Sequence, residues 1–475
     1  MLYINGEWVN AASGDELEVI NPANGELIQK VAKGDEQDSK LAIEAADSSF
    51  KSWKSKTAQE RAKYLRDAAT YLKENIDQIA ETVTKEMGKP FNESKGEIVL
   101  SINYFEWYAE EAKRVYGETI PASHQDKRLM VIKEPVGVTA AVTPWNFPVA
   151  MIARKIAPAL AAGCPVVVKP ASATPLSAIK VFEALHAVGL PKGVANLISG
   201  SASKVVGEMT RNELVRKITF TGSTEVGKKL IRDSAETVKK VSMELGGHAP
   251  YVVFEDADLD QAVEGAVGSK FRNAGQTCIC TNRIYVQESV AEEFSQKFAE
   301  KVSQLKIGNG LDEGVAIGPI IDEDAYEKVK SQISDATNRG ATVVCGGQKA
   351  EVDGQDGWFF EPTVLKDVTD DMVISTEETF GPVAPVYTFK TKEEAVERAN
   401  HPEYGLAAYC YTNDLKKAYY MMEELEYGIV GINDPIPTTA QAPFGGVKES
   451  GIGREGGHHG IEEYLEDKFV SINVK

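Results

Sequence analysis

From residue 136 onward, short apolar runs alternate with segments of helical periodicity, and this alternation constrains the fold more than any other feature of the chain. The runs 136–142, 165–168, 195–198, 218–220 and 241–245 read as strands, and 150–161, 176–188, 203–210 and 228–239 read as the helices between them. Strands joined through helices lie parallel in one sheet, with right-handed crossovers. Ligands of such sheets sit beyond the carboxyl ends of the strands. Asn146, Lys169, Gly222 and Glu244 each stand at a strand end, so one crevice is expected to collect them. After Pro250 a second alternation begins, with strands at 252–254, 283–286, 343–344 and 386–387 and helices at 259–270 and 291–305. The expectation is an α/β chain with two Rossmann-like units.

The flanking segments differ. Residues 1–35 carry the turn signals Asn5-Gly6, Ser13-Gly14 and Asn24-Gly25 between short apolar runs, which predicts hairpins. Residues 39–112 are helical, with Ala62, Leu65, Ala69, Leu72 and Ile76 at three- and four-residue spacing. Residues 117–133 are extended and polar, and 464–474 are extended again, so the two are expected to pair. With 475 residues, the length fits about three domains. The 71 acidic residues outnumber the 52 basic ones, which argues against nucleic acid or an anionic membrane as partner. Five cysteines are too few for a disulfide framework and fit a reducing compartment. The opening MLYINGEWVN has no basic and no apolar signal region, and the longest mostly apolar stretch, 157–168, is too short to span a bilayer. A cytoplasmic location is expected.

Four motifs carry chemistry. Phe271-Arg-Asn-Ala-Gly-Gln-Thr-Cys278 presents a thiol after a Gly-Gln turn, although a lone cysteine is more often a small buried hydrophobe. Val241-Ser-Met-Glu-Leu-Gly-Gly247 places Glu244 between an apolar strand and two glycines, where burial would raise its pKa and fit it for general-base work; otherwise it is a salt-bridge partner. In Thr143-Pro-Trp-Asn-Phe-Pro148, two prolines fix the backbone around Asn146, whose amide can donate to a developing oxyanion. Gly222-Ser-Thr-Glu-Val-Gly227, between a strand and a helix, offers free N–H groups to phosphate.

In this order and together, these motifs resemble the NAD(P)-dependent aldehyde dehydrogenase family along essentially the whole chain. The spacing of 34 positions from Glu244 to Cys278 is the family's usual one. Glu377-Glu-Thr-Phe-Gly-Pro382 is similar to its nicotinamide-ribose segment, and Pro443-Phe-Gly-Gly-Val-Lys-Glu-Ser-Gly-Ile-Gly-Arg-Glu455 to its C-terminal hallmark. The resemblance implies oxidation of an aldehyde to an acid through a thioester on Cys278, with Glu244 activating water and Asn146 and the Cys278 N–H holding the oxyanion. It implies NADP or NAD as cofactor, contacted by Trp145, Lys169, Ser172, Gly222, Ser223, Leu245, Glu378 and Phe380. Its domains would be a cofactor domain (1–116 and 134–245), a catalytic domain (246–440) and oligomerisation strands (117–133 and 460–475), making a homodimer or homotetramer. Within the family, the stretches 151–154, 269–280 and 460–465 resemble the succinate-semialdehyde dehydrogenases. That branch implies a substrate carboxylate held by Arg154, Arg272 and a hydroxyl at Thr438 or Thr439. It also shares the Cys-x-Cys of Cys278 and Cys280; Cys280 is either a small buried hydrophobe or a redox partner that condenses with an oxidised Cys278. Glutarate semialdehyde or another carboxylated or aliphatic aldehyde is the alternative.

The chain departs from the family pattern in places. His248 follows Glu-Leu-Gly-Gly where Lys or Asn is usual, prolines at 435 and 437 enter the substrate loop, and Ser172 stands where many NAD-specific members have Glu. No metal is expected: His458-His459 lacks further ligands, and Asp256-Ala-Asp-Leu-Asp260 has Gln261 and Val267 where a calcium loop needs Gly and Glu, so it reads as helix capping. Gly451-Ile-Gly-Arg-Glu-Gly456 fits the dinucleotide fingerprint, but a βαβ unit needs about 30 residues and too few follow.

Overall fold

The computed structural model describes residues 1–401 and 403–475. The first alternation builds an eight-stranded sheet in the order Glu7–Val9, Leu2–Ile4, Ala195–Leu197, Val166–Lys169, Val138–Val142, Val215–Thr221, Lys240–Glu244, Gly451–Ile452. The central five strands are parallel, as the alternation requires. Both edges are antiparallel: the N-terminal hairpin closes one, and Gly451–Ile452 closes the other by pairing with Met243 and Glu244. A seven-stranded sheet follows, ordered Thr342–Cys345, Thr363–Lys366, Val383–Phe389, Thr281–Gln287, Ala249–Val253, Ala407–Tyr411, Ile429–Ile432 and parallel except for its first strand. The pairing at Gly451 is a tertiary contact that periodicity does not reveal. It brings the C-terminal hallmark back onto the first sheet.

The helices Glu36–Lys54, Ala58–Glu74, Ile76–Met87 and Phe91–Glu111 fill the stretch expected to be helical. The first two start in capping boxes, Asp35 with Asp38 and Thr57 with Glu60. The third ends on Gly88 at φ 94°, left-handed backbone that glycine adopts without strain. Every residue of Ala150–Ala162 is buried, including Arg154 and Lys155, so a helix apolar nearly all round carries two cations that need partners inside the protein.

The helix expected at 228–239 instead runs Thr224–Ser234. Ser223 caps it by accepting from the Val226 N–H (3.4 Å), which moves its start four residues earlier. Its lysine-rich end unwinds through a 3₁₀ turn to Val238 at φ 51°. Asp258 caps Leu259–Phe271 as expected, but Asp256 holds another helix: it accepts from the Asn413 and Asp414 N–H groups at the start of Leu415–Glu424. The C-terminal strand Leu465–Asn473 pairs antiparallel with Lys127–Pro135 over nine residues, and Glu118–Ile120 completes a three-stranded sheet. That sheet leaves Phe469 and Ile472 exposed. Among the described residues, no helix is long and apolar enough to cross a membrane.

Candidate active site

The parallel registers align the strand ends. Val142 is level with Lys169, Phe220 with Val142 and Thr221 with Glu244, so the four residues stand at one end of the sheet; Asn146 and Gly222 line a cavity there, and Lys169 and Glu244 do not. That cavity, of about 290 Å³, opens between the two sheets. Of the residues assigned above, Trp145, Asn146, Gly222, Ser223, Leu245, Cys278, Glu378 and Phe380 line it. Ala325 and Lys328 also line it. Both lie on the helix Glu323–Asn338, whose sequence shows only a charged surface helix. A larger surface groove, about 490 Å³, sits against the N-terminal hairpin and holds none of these residues.

Cys278 is delivered by a strained turn. Asn273 and Ala274 both have φ 53°, and Gly275 follows at φ 74°. Two successive non-glycine residues in left-handed backbone are costly and persist only where their surroundings fix them. Burial pushes the thiol up to about 12; Glu378 and Glu244 add to this, and Arg154 opposes it. The thiol is therefore protonated at neutral pH until a base or a positive charge arrives.

Asn146 donates from Nδ2 to the Gln276 carbonyl (3.1 Å), which joins the Pro-Trp-Asn turn to the cysteine loop. Its second amide N–H meets no acceptor among the described residues.

Glu244 ends its strand, and its backbone carbonyl accepts from the Gly222 N–H (3.0 Å). Its carboxyl Oε2 is buried without a partner. Burial and the neighbouring Glu455 hold it well above the usual carboxylate range, against the pull of Arg154 and Lys155. Gly445, at φ 156°, sits against it: a Cβ there would stand 2.8 Å from Oε1. Glu455 is equally buried, yet its Oε1 is 2.5 Å from Lys155 Nζ and its Oε2 is 2.9 Å from Arg154 Nε. Burial pushes its carboxyl up, but the two cations hold it below the ordinary value. The hallmark motif contains Glu455 without marking any role for it; only the return at Gly451 brings it here.

Arg154, whose charge acts on the Cys278 thiol, stacks on Phe444 (3.8 Å) and keeps a buried Nη2 without a partner. Arg272 lies over the Phe147 ring (5.0 Å) and lines a recess of about 10 Å³ with Thr277, Tyr409, Pro435 and Ile436. Thr438 and Thr439, equivalent in the sequence, separate here. The Thr438 hydroxyl is buried and unpartnered, whereas Thr439 bonds Gln441.

Lys169 is buried, and among the described residues its ammonium meets no carboxylate or hydrogen-bond acceptor. Burial alone pushes it down to about 8. Ser172 is half-buried and donates to the Gly200 carbonyl (3.3 Å). Glu378 accepts from the Gly247 N–H (3.0 Å), and burial raises its carboxyl to about 7. Phe380, at φ 51°, packs edge-on against Trp145. Cys280 is buried, with its thiol on the Gly275 carbonyl (3.2 Å) and 3.8 Å from Lys270 Nζ. Both Cys278 and Cys280 are free thiols. His248 is buried in the second unit, within 3.1 Å of the Ser375 carbonyl; burial pushes its pKa well down, so it is neutral.

The chain matches the aldehyde dehydrogenase family over residues 8–470. It is 53% identical over 471 residues to the NADP(+) succinate-semialdehyde dehydrogenase of Escherichia coli K12, covering 99% of this chain and 97% of that protein. It is also 53% identical over 472 residues to a glutarate-semialdehyde dehydrogenase of Pseudomonas putida, with the same coverage. A crystal structure described as an E. coli NADP dependent enzyme superposes with a TM-score of 0.98 at 53% identity, covering 100% of this chain and 98% of that one.

Proposed function

The chain belongs to the aldehyde dehydrogenase family, and on that premise we propose that it oxidises succinate semialdehyde to succinate with NADP+ or NAD+. What supports this substrate is two buried donors without partners, Arg154 Nη2 and Thr438 Oγ1, and Arg272, which lines a small recess together with Thr277, the residue before Cys278. Buried donors without partners are costly, and a carboxylate satisfies them. Glutarate semialdehyde is the second reading, favoured by the equal identity to that enzyme.

The cofactor's site is judged by Lys169, a buried ammonium without a partner at a strand end, and by the carboxyl of Glu378, which lines the cavity. Both suit the hydroxyls of a ribose. The bound cofactor supplies a hydride acceptor. The chain's own residues do the rest. The Cys278 thiol gives its proton to solvent water, its thiolate attacks the aldehyde carbon, and the oxyanion is met by the second Asn146 N–H and the Cys278 backbone N–H. Loss of hydride leaves a thioester on Cys278. Glu244, once deprotonated, takes a proton from water; the resulting hydroxide adds to the thioester carbon, and the thiolate leaves. Glu455, kept ionised by Lys155 and Arg154, makes Glu244 a stronger base.

Ser172 puts a hydroxyl where a carboxylate would repel a 2′-phosphate, which favours NADP+. The exposed apolar side chains on the Leu465–Asn473 strand favour a homo-oligomer built on that sheet, and five unpaired cysteines favour a reducing, cytoplasmic setting. Initial rates with succinate semialdehyde, glutarate semialdehyde and propanal, each with NADP+ and NAD+, test the reading. The expected order puts a four- or five-carbon semialdehyde first, and a preference for propanal contradicts it.

A further inference from the structure

One buried ion pair lies outside the catalytic set yet touches its backbone. Lys89 stands in the Gly88-Lys89-Pro90 turn, and Glu97 lies in the following helix, Phe91–Glu111. Both side chains are fully buried, with Lys89 Nζ 2.6 Å from Glu97 Oε2. Their remaining polar contacts converge on one segment. Lys89 Nζ donates to the Asn146 carbonyl (2.6 Å) and lies 3.7 Å from the centre of the Phe147 ring. Glu97 Oε1 accepts from the N–H groups of Val149 (2.8 Å) and Ala150 (3.1 Å), where the helix bearing Arg154 and Lys155 begins. The Asn273 side chain also donates to the Asn146 carbonyl (3.2 Å), tying in the strained turn before Cys278.

Burying two charges costs several kcal/mol of desolvation per ion, and replacing such a pair with apolar groups is often neutral for stability. A pair whose spare valences all go to residues 146–150 is explained better by geometry than by stability. We propose that Lys89 and Glu97 are positioning residues: their ion pair clamps the backbone of residues 146–150 so that the Asn146 amide stays aimed at the oxyanion on Cys278's substrate. This rests on the reading of Cys278 as nucleophile and Asn146 as oxyanion donor, and is independent of which aldehyde is oxidised.

The test is a double-mutant cycle on acylation, read as the burst of reduced cofactor with succinate semialdehyde and, separately, as thiol acylation by an activated ester such as p-nitrophenyl acetate. The ester makes the same oxyanion but needs no hydride transfer and no carboxylate clamp. Removing one oxyanion donor slows such reactions roughly 100- to 1,000-fold, which sets the scale for Asn146→Ala. Lys89→Met is expected to slow acylation of either substrate roughly 10- to 100-fold, with cofactor affinity unchanged. In the Asn146→Ala background it should add less than about threefold, because its route to the chemistry has been removed. If its full effect persists in that background, Lys89 acts on the fold or on another group, and the inference is overturned. Should Lys89→Met not fold, Glu97→Gln, which keeps an acceptor for Val149 and Ala150 but weakens the hold on Lys89, replaces it in the same cycle under the same criterion. Failure of the functional reading looks different: wild-type protein would then show no burst and Asn146→Ala no defect.

Discussion

The two sides of Cys278 are built on opposite terms. Toward the cofactor the protein holds an open cavity of about 290 Å³, and its Glu378 carboxyl is already bonded to the Gly247 N–H. The residues proposed for the substrate have no such space: Arg272 lines a recess of about 10 Å³, and Arg154 Nη2 and Thr438 Oγ1, outside it, are buried without partners. The first side is largely preorganised and binds by shape. The second leaves polar groups unsatisfied, and a site of that kind discriminates strongly, because an analogue lacking the matching group leaves them unpaired. Under the proposed function, specificity is expected from the unsatisfied groups and cofactor tolerance from the open cavity. The two carboxylates between them repeat the contrast: Glu455, met by two cations, is held below the ordinary carboxylate range, and Glu244, met by none closely, is held well above it.

The largest expected effect falls on the group between the two sides. Glu244→Gln should cut steady-state turnover by roughly 100- to 10,000-fold, the range for a lost general base. The burst of reduced cofactor should survive, since acylation does not need Glu244. Loss of the burst in folded protein would place Glu244 in thiol activation instead.

Arg154→Leu should break the separation of the sides. Arg154 is proposed to hold the substrate carboxylate, but its Nε also meets Glu455, and its charge acts on Glu244 and Cys278. The loss with succinate semialdehyde should be roughly 10- to 100-fold, the scale of a charged hydrogen bond, and propanal should lose activity too. A sign follows for pH. Glu244 works as a base only when deprotonated, and its carboxyl is already held high; removing the positive charge of Arg154 raises it further. The rising limb of the deacylation rate should therefore move to higher pH, and a limb that stays in place would show that Arg154 does not act on Glu244.

How far these sides could be read without coordinates differs between them. The cofactor side was largely legible, because strand ends in a parallel sheet converge by topology, and Asn146, Lys169, Gly222 and Glu244 are all strand-end residues. The substrate side was not. Thr438 and Thr439 are chemically identical neighbours, and only the path of the loop buries one hydroxyl and turns the other to Gln441. Glu455 reaches Glu244 through the antiparallel return at Gly451, a long-range pairing without periodic signature. Lys89 and Glu97 look like ordinary charged residues at a helix start until the fold buries them. Ser223 was read as part of a phosphate loop; its geometry makes it the helix cap as well.

Ser172→Glu sharpens the cofactor side. At about 4 Å in water-like surroundings two charges repel by about 1 kcal/mol, so NADP+ should weaken by roughly fivefold or more while NAD+ is spared. Strict NAD+ use by wild type, unchanged in the variant, would remove Ser172 from the account. A subtler test concerns Cys280. If it condenses with an oxidised Cys278, peroxide inactivation should be reversed by dithiothreitol in wild type and not in Cys280→Ala. Its buried contacts with Gly275 and Lys270 mean the loop must shift to form that bond, so the reversible fraction is expected to build slowly. Equal recovery in the variant would leave Cys280 a packing residue.

A carboxylate clamp that includes Arg272 is proposed to select the substrate, and Arg272→Leu separates that clamp from the chemistry. Arg272 lines the recess and forms no ion pair among the described residues, so its loss should leave the chemistry intact. The measurement is the ratio of kcat/KM for succinate semialdehyde to that for propanal, in wild type and variant. The account expects the ratio to fall roughly 10- to 100-fold, with the propanal value within about threefold of wild type. An unchanged ratio, whether both values fall together or neither does, would contradict it.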